Sequence, residues 1–243
     1  YRYQDSTSIE KHFNTLKNNL NQDLSTTEFY LLLSKFTAKI KCGHTFPSFY
    51  NQNKIIQDSI FNLSNKLPVT FQLFERRIIV DKNLTDNKIE KGSEIISIND
   101  IPVETIIDSL FLYVKGDGNN NNKRLKDLEI TGFGSFEAFD IYFPLLFPPV
   151  DSSYMLKIKV NENEIGRQVK VNCISRAERF SLIEQKYGKQ PASYDDLWNF
   201  QIINNNSAYL QLGTFVTNKL TINWKAFLDK AFKAVSYTVN FQI

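Results

Sequence analysis

Pro68 marks a change of hydrophobic period, and that change constrains the fold of this chain more than any other single feature. Before it, apolar residues recur at three- and four-residue spacing, the pattern of helices that bury one face. After it they alternate, as Val69, Phe71 and Leu73, and lead into the β-branched run Ile78, Ile79 and Val80, which is strand chemistry. Helices followed by strands, segregated along the chain, predict an α+β fold.

The helical part reads as three segments. Thr7 and Glu10 have capping-box spacing ahead of Ile9, Phe13, Leu16 and Leu20, which predicts a helix over 8–21. Ser25 and Glu28 form a second box, with Leu24 and Phe29 at staple positions. The stripe Phe29, Leu32, Leu33, Phe36 and Ile40 is the expected buried face, and Gly43 is the expected C-cap. A third helix over 54–67 would bury Ile56, Ile60, Leu63 and Leu67 and stop at Pro68.

Beyond the strands of 69–80, residues 94–98 and 101–103 flank Asn99-Asp100 as a hairpin, and Thr105 with Asp108 opens a short helix. Residues 115–127, with Gly116, Gly118 and four consecutive Asn, read as a polar surface loop linking two units. The aromatic stretch 133–147 has mixed periodicity and supports no assignment. Residues 154–160 pair with 167–173, and 199–203 with 208–212, as hairpins. Trp224, Phe227, Leu228, Ala231, Phe232 and Val235 share one helical face, and 239–243 read as the start of a buried strand.

Composition narrows the function classes. The 243 residues are 42% hydrophobic and 14% aromatic with 9 Gly and 7 Pro, a folded and Phe-rich composition. A net charge of +3 with interspersed signs makes no basic stripe, so nucleic acid is not an expected partner. The longest apolar run, 141–150, is broken by Pro144, Pro148 and Pro149, so no integral membrane segment is expected. The start at Tyr1 fits a removed signal peptide and a trimmed chain equally. Cys42 and Cys173 are too few for a disulfide framework, and free thiols are the preferred reading.

Few residues carry chemistry. His44 and His12 are the two histidines. His12 has no companion at ligand spacing, so no metal and no cofactor is expected, and a surface helix residue is its reading. Ser8 and Lys11 match Ser-x-x-Lys on an exposed helix start, a chance pattern. Residues 132–136, Gly-Phe-Gly-Ser-Phe, lack the second flanking Gly of a nucleophile elbow.

Three stretches, in order, resemble the tail-specific (C-terminal-processing, tricorn-core-like) serine peptidases. They are the helix over 26–41 running into Cys42-Gly43-His44-Thr45, the segment KGSEIISINDIPV over 91–103, and AYLQLGTF over 208–215 followed by an amphipathic helix. The resemblance implies an N-terminal helical unit over 1–68, a PDZ-like module over 69–115, a linker and hairpin region over 116–206, and the start of a peptidase core over 207–243. It implies His44 as general base toward a serine, work that suits an imidazole, whereas without the resemblance the residue reads as a loop histidine held by ordinary hydrogen bonds. Gly213, at a strand end, is implied on the oxyanion side, with a plain strand-terminating Gly as the equal alternative. Cys42 stands where the family often has Asp. The family's Asp-Leu-Arg-x-Asn-x-Gly-Gly motif and its nucleophilic Ser are not in the sequence. The implied protein is secreted or periplasmic, with a membrane anchor through a removed N-terminal segment as a variant of that reading, and acts on protein or peptide substrates. A non-catalytic protein that captures peptide ends on the same modules is the alternative.

Overall fold

A computed structural model describes residues 3–48, 51–134, 137–161, 165–189 and 193–238. The architecture is α+β, as expected. The chain divides into two compact units, Tyr1–Lys186 and Tyr187–Ile243.

In the first unit, β1 (Val69–Phe74), β2 (Arg77–Asn83), β3 (Glu94–Ile98), β5 (Ser153–Lys159) and β6 (Arg167–Asn172) form an antiparallel sheet in the order β1-β2-β3-β5-β6. The short β4 (Ile101–Pro102) pairs with β3. Asn99 and Asp100 take φ of 49° and 62° between β3 and β4, the left-handed pair that a tight two-residue hairpin requires and that these residue types tolerate. Because β5 and β6 join the sheet of β1–β3, strands on both sides of residue 115 share one core. A bridge between Lys66 and Ile174 ties the approach to β1 to the exit of β6.

The helices largely follow the sequence, with shifts at their ends. In α1 (Ser6–Asn19) the cap is Asp5, whose carboxylate accepts from the Ser8 amide at 2.8 Å, so the helix starts before the Thr7 box. The reason is chemical, because an Asp three residues ahead of Ser8 is itself a strong N-cap. In α2 (Thr26–Ile40) the Ser25–Glu28 box forms as read. Its buried positions are Tyr30 and Ser34, while Phe29 is 42% exposed, so the expected stripe is rotated. Ser34 is small enough for the Tyr142 ring to approach, and the Tyr142 hydroxyl donates to Ser34 Oγ at 3.4 Å. The third helix is shorter than its pattern: α3 (Lys54–Ile56) passes into a π-helical turn, Gln57–Phe61. Leu63 is exposed, whereas Leu67 is 1% exposed because it enters the core from the extended segment before β1.

Further on, α4 (Val103–Phe111) starts at Val103, earlier than its Thr105 signal, and buries Val103, Ile106, Ile107 and Leu110. The Asn run is no loop throughout: Asn120 caps α5 (Asn121–Leu128) by accepting from the Lys123 amide. The unassigned aromatic stretch is α6 (Ala138–Leu146), buried from Ala138 through Pro144. A helix covered on every side has no polar face, so it shows no period. Its rings link the layers. Phe139 meets Phe71 of β1 at 5.1 Å, Phe143 meets Tyr154 of β5 at 5.2 Å, and Tyr142 meets Tyr30 of α2 at 6.0 Å.

Helix α7 (Arg176–Tyr187) brings a buried charge. Arg179 is 0% exposed and forks onto Asp140 of α6, donates to the Leu67 carbonyl from Nε and Nη2, and lies 3.7 Å from Glu137. Glu137 Oε1 in turn accepts from the amides of Thr131, Gly132 and Gly134.

In the second unit β7 (Trp198–Asn204) and β8 (Ser207–Leu212) form a hairpin in the expected register region, and α8 (Trp224–Thr238) follows. The strand expected over 239–243 lies outside the described residues. Both cysteines are free. Among the described residues no helix is long and apolar enough to cross a membrane.

Candidate functional site

His44 lies on the loop that leaves α2. That helix ends at Lys41, whose φ of 56° supplies the left-handed cap that Gly43 was expected to give. The Thr45 amide then bonds back to the Cys42 carbonyl at 3.0 Å, and this tight turn presents the imidazole at an exposed position. Hydrogen bonds from the Thr45 side chain and the His44 amide hold the Cys42 thiol below its ordinary pKa, since donors favour the thiolate.

The loop forms one wall of a cleft of about 350 Å3, lined by His44, Phe46, Lys115, Asp117, Lys123 and Asp127. The other wall is the segment between α4 and α5 together with Lys123 and Asp127 of α5, a stretch that the sequence presented as a linker. The walls touch: a Cβ on Gly43 would meet the Asp117 Cβ at 3.7 Å, and the Lys115 ammonium sits over the Phe46 ring at 3.6 Å. Burial lowers the Lys115 pKa. Asp127 pairs with Lys123 through Oδ1, while its buried Oδ2 has no hydrogen-bond partner. An exposed imidazole beside carboxylates and ammonium groups can exchange a proton with a group bound in the cleft.

Gly213 follows β8 in the second unit. Its amide donates to the Leu197 carbonyl at 2.8 Å, and an added Cβ would come within 2.9 Å of that oxygen, so the close approach requires glycine. An oxyanion could use this amide only if the bond to Leu197 opened. His44 and Gly213 belong to different units, each placed within its own. His12 stays on α1, its pKa lowered by partial burial and then by Lys39 and Lys11. Among the described residues no three His, Cys, Asp or Glu side chains cluster as metal ligands.

The sequence reading missed the second wall. Its signal was present in Asn120, an N-cap residue three positions before Lys123, with Leu125 and Leu128 one turn apart.

The first unit's helix-backed antiparallel sheet, and the hairpin and helix of the second, make the chain α+β. No protein-family model matches the sequence, and no curated protein matches it. Among solved structures, a serine-to-alanine mutant of CPAF matches over 95% of this chain with a TM-score of 0.59 and 13% identity. Mature CPAF complexed with lactacystin matches over 95% with a TM-score of 0.56 and 14% identity. CPAF is a chlamydial tail-specific serine protease. At these identities the likeness is one of fold, and this chain spans 48% of the length of each of those two chains.

Proposed function

We propose that this chain contributes the base-bearing portion of a serine-type peptidase, which hydrolyses proteins or peptides by acyl transfer with a serine supplied outside these 243 residues. The observation that carries the reading is the exposed His44 at the wall of a cleft, in a chain whose fold follows CPAF over 95% of its residues. His44 would take the proton from the serine hydroxyl as it attacks, then return it to the leaving amine.

The test is His44→Ala in the full-length protein. Turnover of an unstructured protein falls by about 10²- to 10⁴-fold, while stability moves by less than about 0.5 kcal/mol because the side chain is exposed. The 243-residue chain alone neither digests such a protein nor takes a fluorophosphonate label. Near-native kcat/KM in the mutant with unchanged melting would make His44 incidental.

A second reading, a peptide-capturing module over residues 69–112, is favoured by one feature of β3. β3 is paired on both edges, with β2 and β4 on one and β5 on the other, and beside it lies a cleft of about 330 Å3 that Arg76, Arg77, Ile96 and Pro102 help to line. A peptide end could lodge in that cleft, without adding a strand to β3. Equal affinity for peptides with free and amidated C-termini would count against that mode.

A further inference from the structure

Lys41 holds a backbone conformation that glycine takes without strain, and Gly43 stands two residues away. An L-residue in the left-handed region is strained, so Lys41 sits there at a cost that glycine would not incur. Its two polar ends have one destination. The carbonyl accepts from the Gly118 amide at 2.9 Å, and Nζ donates to Asn119 Oδ1 at 2.8 Å. Both partners directly follow the cleft-lining residues Lys115 to Asp117, and His44 on the facing loop lies only three residues beyond Lys41. Gly118 itself, at φ 60°, has the Tyr3 ring 2.9 Å from where a Cβ would stand, so its own conformation is confined.

We propose that Lys41 is a positioning residue for the His44 cleft: a latch through which the end of α2 fixes the spacing between the imidazole and the Lys115–Asp117 wall. The inference rests on His44 being the working imidazole of that cleft. Its test uses no peptidase activity, so it can fail or succeed independently of the proposed chemistry.

The measurement is amide hydrogen exchange and histidine ring resonances on the 243-residue chain. Lys41→Met keeps the backbone carbonyl that Gly118 uses but loses the Nζ–Asn119 bond beside it, so the Gly118 amide opens and exchanges about three- to tenfold faster, the range expected for loss of that one neighbouring hydrogen bond. The His44 ring resonances move while those of His12 stay, and sheet amides such as Phe71 keep their protection. Lys41→Arg keeps the wild-type pattern. Lys41→Gly separates latch from cap: strain is relieved, so melting is equal or higher, yet Gly118 exchanges as fast as in Lys41→Met. A residue that served only as a cap would give slower Gly118 exchange in Lys41→Gly. That result, or unchanged Gly118 exchange and His44 resonances in Lys41→Met, overturns the proposal. Should Lys41→Met not fold, Asn119→Ala removes the same bond from the other side, and unchanged exchange there overturns it equally.

Discussion

The two units carry the same strand pattern and bury it very differently. In the first, Val69, Ile78, Ile95 and Leu156 are at most 1% exposed, because α4 and α6 cover the sheet. In the second, Ile203 is 64% exposed, Tyr209 45% and Phe232 61%, and among the described residues only Trp198 and Ala231 are buried apolar side chains. Alternation in sequence therefore specifies a pleated ribbon, whereas a covering layer decides whether the ribbon becomes a core. Substitutions that break or sharpen the contrast begin with the largest expected effect.

The first unit's core is also the place where charge is buried, and its loss should be felt most. Arg179→Met strands the carboxylates of Asp140 and Glu137 without their guanidinium, and breaking a buried pair in this way costs about 3–5 kcal/mol. For a unit of this size that lowers Tm by roughly 10 °C. A loss below about 1 kcal/mol, read from denaturant unfolding, would mean that water reaches the cluster. Phe71→Ala, at 1% exposure, should cost a similar 3–5 kcal/mol through the cavity it leaves.

Lys66 gives the next effect, with the opposite sign. It is 3% exposed, and burial depresses its pKa to about 8, with Asp140 opposing the shift and Arg179 and Arg176 reinforcing it. Above pH 8 the unfolded chain, whose lysine titrates at its ordinary value, binds the extra proton, so stability rises with pH. The clean window is pH 8 to 9. Burial pushes Cys173 up to about 11, so above the ordinary thiol pKa the folded state holds the extra proton and that residue pulls stability down. Lys66→Met removes the cost of burying an ammonium and stabilises at pH 7 by at most on the order of 3 kcal/mol, with the gain shrinking toward pH 9. Melting curves of both proteins at pH 7, 8 and 9 check it, and a constant difference would show that Lys66 stays charged throughout.

What was legible in the sequence follows the same division. Local chemistry was read well where the answer lies in neighbouring residues: the Ser25–Glu28 box and the Asn99–Asp100 turn both formed as read. Elements defined by distant partners were not. α6 is buried all round and so lacks a period, and α7 hides its buried face because one of its two buried positions is Arg179. A signal for α7 existed in Ser175 and Glu178, which bond reciprocally as Ser25 and Glu28 do, but without a hydrophobic stripe it was passed over. For the candidate site, His44 is singled out by a three-residue motif alone. Its facing wall was lost because Asn-rich segments read as loops even when one Asn is a helix cap.

The smallest effect belongs to the second unit. Phe232 lies on the helical face that the sequence marked for burial, yet it is 61% exposed and borders an open apolar cleft with Phe200, Leu210 and Val235. Truncating a side chain that is already mostly in water forfeits only the fraction it buries. At about 25 cal/mol per Å2 this leaves Phe232→Ala below about 1 kcal/mol, against several for Phe71→Ala. Because the two substitutions delete the same atoms, most of their difference measures the covering layer, with a smaller share from the opposite propensities of alanine in a strand and in a helix. Intrinsic helix propensity even favours the alanine in α8 by a few tenths of a kcal/mol. Hydrogen exchange of α8 amides in Phe232→Ala reports on the second unit alone. Protection changed by less than about fivefold agrees with an uncovered face. A loss of two orders of magnitude or more would mean that Phe232 is packed in solution, and the contrast between the units would fall.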